Sequence, residues 1–128
     1  MFRLSKRSLN RLEGVHPKLV AVVKRAIEIT PVDFMVVEGL RTIEKQKEYV
    51  AKGVSKTMRS YHLKHTDGYG HAVDLAPLIN GDIPWEDYSQ FKKVASAMKK
   101  AALEQGVTIT WGGDWKTFVD TPHFQLEV

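Results

Sequence analysis

Two short apolar stretches of this chain carry polar residues of the kinds that do chemistry. One reads Ser60-Tyr61-His62 and, after a polar loop, Gly70-His71-Ala72-Val73-Asp74-Leu75; the other reads Asp120-Thr121-Pro122-His123-Phe124-Gln125-Leu126. Two histidines and one aspartate can supply three protein ligands to a catalytic zinc, with a fourth position left for water. A further carboxylate three residues before the last histidine can act on that water as a general base. The chain has no cysteine, so disulfides and thiolate-held zinc are excluded and any metal must sit on His, Asp or Glu.

Strand geometry sorts these residues. Side chains alternate faces along a strand, so over Gly70 to Ala76 one face holds His71, Val73 and Leu75 and the other holds Ala72, Asp74 and Ala76. His71 and Asp74 are therefore poorly placed to share an ion despite their closeness in sequence. A carboxylate between Val73 and Leu75 is costly to bury without a metal or a cation, so Asp74 is either a ligand or half of a structural salt bridge. By spacing alone His123 fits a ligand and a satisfied strand histidine equally well.

The elements that must hold these positions can be read from periodicity and punctuation. Ser8 to Glu13 reads as a short helix stopped by Gly14. Pro17 opens a second helix, with Leu19, Val20, Val23, Ala26 and Ile27 at helical spacing as far as Thr30-Pro31. Phe34 to Val37 is short, apolar and β-branched, as a buried strand requires. Thr42 can cap a third helix that runs through Lys52 to Gly53. A long polar loop spans Gly53 to Gly70, and a strand over Ala72 to Ala76 leads to a turn at Asn80-Gly81-Asp82. Trp85 to Gln105 carries the longest helical pattern, stopped by Gly106, and strands at Val107 to Trp111 and His123 to Leu126 finish the chain. Helices lead and strands dominate the second half, which predicts an α+β fold: a small antiparallel sheet packed with helices, the metal site on the sheet.

Composition sets the outer bounds. At 128 residues, 43% hydrophobic and 27% charged, the chain suits one globular domain, residues 1–128, with no room for a separate binding domain. No apolar run approaches the ~20 residues of a membrane span, and no apolar stretch follows the basic N-terminus, so neither membrane insertion nor a secretory signal is expected. A net charge of +4 favours an anionic partner, either nucleic acid or an acidic polymer such as bacterial cell wall.

Taken together, Ser60-x-His62, Gly70-x-Ala72-x-Asp74 and Asp120-x-x-His123 resemble the zinc peptidases of the VanY-type D-alanyl-D-alanine carboxypeptidases and their phage relatives, the L-alanyl-D-glutamate endopeptidase endolysins. Glu38-Gly39-Leu40-Arg41-Thr42, with Gln46 beyond it, and Trp111-Gly112-Gly113-Asp114-Trp115 look like the same family and follow in its order. The resemblance implies that His62, Asp74 and His123 bind zinc and that Asp120 is the general base. It also implies that Arg41 binds the scissile carbonyl oxygen, a role suited to a fixed guanidinium facing a developing oxyanion, and that Ser60 and Gln46 shape the substrate site. One departure stands out: the family's run is Ser-x-His-x-x-Gly-x-Ala-x-Asp, whereas twelve positions separate His62 from Asp74 here, an insertion around Lys64 to Tyr69. His65 thereby becomes a rival ligand; His62 is preferred because it keeps the serine two places before it.

The resulting expectation is a monomeric zinc peptidase acting on the peptide stem of peptidoglycan, an L-alanyl-D-glutamate endopeptidase working as a phage endolysin. It would be made in the host cytoplasm and reach the wall after release. A D-alanyl-D-alanine carboxypeptidase of the same family is the alternative. A basic nucleic-acid-binding protein explains neither Asp74 nor the Asp120–His123 pair, and no nucleic-acid-binding signature is present. A serine hydrolase built on Ser60 lacks the Gly-x-Ser-x-Gly elbow, and a non-catalytic zinc domain would have no use for both Asp120 and Arg41.

Overall fold

The computed structural model describes residues 1–53 and 60–127. The part of the polar loop at 54–59 lies outside the described residues. Among the described residues four α-helices and four strands follow in the order α1 (Lys6–Arg11), α2 (Pro17–Ile29), β1 (Asp33–Glu38), α3 (Ile43–Ala51), β2 (Ala72–Leu78), α4 (Tyr88–Gln105), β3 (Thr108–Trp111) and β4 (His123–Glu127). The strands form one antiparallel sheet in the order β1-β2-β4-β3. The expected α+β class is what is found.

Local chemistry accounts for the helix limits. Ser5 accepts from the Ser8 amide and starts α1 earlier than periodicity alone suggests. Pro17 occupies the first turn of α2, and Thr42 caps α3 by accepting from the Lys45 amide. The apolar pattern predicts a helix from Trp85, but α4 begins at Tyr88. Asp87 caps it by accepting from the Ser89 amide, and the Asp87 amide closes a turn back to the Pro84 carbonyl, which takes Trp85 out of the helix. Gly106 ends it at φ 66°, a left-handed conformation that suits glycine.

Pairing register decides which residues share a face. Opposite residues in antiparallel strands project to the same side. Val36 faces Leu75, Val73 faces Phe124, and Trp111 faces Phe124 from the other flank. These residues are buried, and with Leu19, Val23, Phe91, Val94 and Met98 of α2 and α4 they form the core. On the opposite face Glu38 pairs with Asp74 and Asp74 with His123, after a bulge between Val36 and Glu38. The bulge turns Glu38 onto the polar face, so three strands set Glu38, Asp74 and His123 in one row across the sheet.

Candidate metal centre and its cleft

The polar face of the sheet floors a cleft of about 1050 Å³ whose walls include Arg41, Tyr49, Ser60, Tyr61 and Trp115 to Asp120. On its floor His62, Asp74 and His123 each offer one ligand atom, and these atoms all lie within 4.8 Å of one another. His62 Nε2 is 3.1 Å and His123 Nδ1 3.5 Å from the same oxygen, Asp74 Oδ1. Both histidines are buried. Sheet register places Asp74 and His123; His62 arrives from the segment before β2, held by the Arg41 amide on its carbonyl at 2.8 Å and by its own amide donating to Ser60 Oγ at 3.2 Å.

The outward nitrogens show what the inward ones can do. His62 Nδ1 lies 2.8 Å from the Gly39 carbonyl, which can only accept, so Nδ1 carries the hydrogen. His123 Nε2 lies 2.8 Å from Gln125 Oε1, and Gln125 commits its amide nitrogen to Glu127 Oε1 at 2.7 Å, so His123 Nε2 is the protonated nitrogen. In the neutral tautomers two lone pairs then point at a carboxylate oxygen. Three acceptors converging in a largely dehydrated place require a cation between them, either added protons or a metal. Two histidines and one carboxylate, each histidine oriented by an outer hydrogen bond, suit a divalent ion with an open position.

The titration tendencies carry the same message. Burial pushes the Asp74 carboxyl upward, but hydrogen bonds with His123 and His62 outweigh it and hold Asp74 well below the usual carboxylate range. His123 is raised: burial opposes its charge, and the Asp74 carboxylate more than offsets that. Asp120 is raised, first by desolvation and then by the Asp74 charge.

The other expected site residues fall around this centre. Arg41 Nε donates to Glu38 Oε1 at 2.8 Å, Nη2 pairs with the same oxygen, and Nη1 donates to Gln46 Oε1 at 2.7 Å and Ser60 Oγ at 3.3 Å. Ser60 lines the cleft. Gln46 is fully buried and sits behind Arg41, so it bears on the cleft through the guanidinium. Asp120 lines the cleft but is not in the cluster of converging ligand atoms. His65 is elsewhere, stacked on His71 with ring centroids 3.7 Å apart, and His71 bonds Asp67 at 2.7 Å. His71 thus points away from the centre, as strand alternation predicts. Sequence reasoning gave Glu38 no role, although its place at the end of a strand three residues before Arg41 was a usable signal. Trp115, whose ring lies 5.1 Å from that of His123, was also missed.

One glycine holds Asp120 in place. The Gly112 carbonyl accepts from the Trp115 amide at 3.3 Å and the Asp120 amide at 3.0 Å, tying both ends of the cleft wall to a single atom. A Cβ on Gly112 would sit 2.3 Å from the Asp120 carbonyl oxygen. Gly112→Ala must therefore displace Asp120, and a misplacement of this order near the chemistry costs roughly 10²-fold. Wall-lytic activity measured beside metal content should show the first falling and the second holding; undiminished activity would mean that the position of Asp120 does not matter to the reaction.

The family model of the phage L-alanyl-D-glutamate peptidases matches residues 1–126. The chain is 37% identical over 119 residues to the L-alanyl-D-glutamate peptidase of Escherichia phage T5, covering 93% of this chain and 85% of that protein. It is 36% identical over 99 residues to the L-alanyl-D-glutamate peptidase of Listeria phage A118, covering 77% of this chain but only 32% of that longer protein. Among solved structures, the Serratia marcescens L-Ala D-Glu endopeptidase ChiX superposes with a TM-score of 0.87 at 42% identity, over 98% of this chain and 90% of that one.

Proposed function

The chain belongs to the phage L-alanyl-D-glutamate peptidase family, and from that membership we propose how its residues divide the work. It is a peptidase of peptidoglycan, related to phage lysis. We take the metal to be zinc, held by His62 Nε2, Asp74 Oδ1 and His123 Nδ1. The observation that carries this reading is the convergence of two imidazole lone pairs on one carboxylate oxygen beneath an open cleft. Bound there, zinc supplies Lewis acidity to the scissile carbonyl and makes an attacking water more acidic.

The chain's own groups do the rest. Asp120, whose carboxyl desolvation and the Asp74 charge raise above the usual carboxylate range, takes the proton from water and returns it to the leaving amine nitrogen. Arg41 is fixed by Glu38, Gln46 and Ser60 before substrate arrives, so its guanidinium stabilises the charge growing on the carbonyl oxygen without reorganising. Glu38 is thus a positioning residue, and Tyr49, which donates to Glu38 Oε2 at 3.1 Å, holds it in turn.

The carboxypeptidase alternative gives way, since the family model and the relatives above are L-alanyl-D-glutamate peptidases. We assign the +4 charge to attraction toward an acidic wall rather than to nucleic acid. Among the described residues no helix is long and apolar enough to cross a membrane. We read residues 1–128 as one catalytic unit acting as a monomer, released to the wall at lysis.

Digestion of purified peptidoglycan, with mass analysis of the new ends, tests this directly. New N-terminal D-glutamate and C-terminal L-alanine should appear, vanish after chelation, and return with zinc. Ends at any other bond, or full activity in the chelated protein, would refute the assignment.

A further inference from the structure

Two cations line the cleft among the described residues, Arg41 and Lys116. Their electrostatic positions differ. The Arg41 guanidinium is paired with Glu38, which offsets its charge, and is steadied by Gln46 and Ser60. The Lys116 ammonium makes no hydrogen bond or ion pair among the described residues, whereas Lys99 is paired with Asp114 at 2.7 Å. Lys116 stands on the wall between Trp115 and Asp120, the two residues anchored to the Gly112 carbonyl. It therefore lines the same cleft wall as Asp120, with its own charge unpaired among the described residues.

The substrate has a matching need. Glutamate has two carboxyl groups; when its nitrogen is in the scissile amide, at most one of them can carry the rest of the stem. The other stands free, or amidated, within a few bonds of the reacting carbon. Free, it brings a negative charge into a cleft already lined by Glu38, Asp74 and Asp120, and with Arg41 offset, that charge has one unpaired cation to meet among the described residues.

We propose that Lys116 forms a carboxylate subsite for the free carboxyl group of the D-glutamyl residue on the amine side of the scissile bond. The proposal rests on the peptidase reading above and adds a determinant of substrate choice to it. A lysine suits this role because its ammonium is a point charge on a flexible stem, able to follow the carboxylate as the peptide settles against the metal centre.

The test uses two soluble stem peptides, identical except that the free glutamyl carboxylate of one is a carboxamide in the other. The zinc-loaded wild-type enzyme should prefer the acid peptide in kcat/KM. Lys116→Met should lose about ten- to a hundredfold on the acid peptide, the usual worth of a hydrogen bond to a charged group, chiefly through KM, and hold its rate on the amide peptide. Lys116→Arg should keep most of the preference. Equal loss on both peptides in a zinc-loaded, cooperatively melting Lys116→Met protein, or loss on neither, overturns the subsite and leaves the peptidase standing. If Lys116→Met does not fold, Lys116→Gln is judged by the same two ratios. Failure of the wild-type enzyme to cut either peptide overturns the peptidase reading instead.

Discussion

Asp120→Asn should hold zinc at the wild-type stoichiometry and lose wall-lytic activity by ~10²–10⁴-fold, the usual worth of a positioned base. The substitution keeps the side chain's size and shape but removes its ability to accept a proton. Metal retention is expected because, among the described residues, the ligand atoms that converge within 4.8 Å belong to His62, Asp74 and His123. The backbone should not respond either, since Asp120 is held through its amide on the Gly112 carbonyl, a contact that asparagine reproduces. Elemental analysis and a lysis assay on the same preparation separate the possible results. Loss of the metal would make Asp120 a ligand, and retention of both metal and full activity would remove it from the mechanism.

That Asp120, His123 and Asp74 are legible in the sequence follows from their setting. Each is a charged or ionisable group in or beside a short apolar stretch, where burial without a partner is expensive. Strand alternation alone separates Asp74 from His71, and register then brings Asp74 opposite His123. Glu38 was harder to see because its place depends on a bulge, and a bulge changes which face a residue occupies without changing the local pattern. The start of α4 was misplaced because Trp85 continues the apolar period, while the Asp87 cap, a single side-chain hydrogen bond, sets the boundary. Gln46 reads as one more polar residue on an exposed helix; its burial against Arg41 is a tertiary fact with no trace in helical period.

The insertion between His62 and Asp74 decides the remaining prediction. Its residues close a small hairpin: the His65 amide donates to the Tyr69 carbonyl at 2.8 Å, and the Gly70 amide to the Gly14 carbonyl at 2.9 Å. Asp67 ties it down through His71 at 2.7 Å and through His16, which lies 3.8 Å away. The extra length is thus absorbed outside the centre, on the side where His65 stacks on His71, while His62 stays fixed by Gly39, Ser60 and Arg41. His62→Ala should therefore abolish stoichiometric zinc binding and lower activity by more than about 10²-fold, since losing an outer partner of a ligand already costs 10–100-fold. His65→Ala should keep both, at a stability cost of roughly 0.5–1.5 kcal/mol for the lost ring contact. Thermal melts supply a second readout, because a ligand that binds only the folded state raises its stability, by about 2.7 kcal/mol at a hundred times Kd. Added zinc should raise the Tm of His65→Ala as it does that of the wild type and leave His62→Ala unmoved. The reverse pattern would transfer the ligand role to His65 and require the hairpin to turn inward on binding the metal.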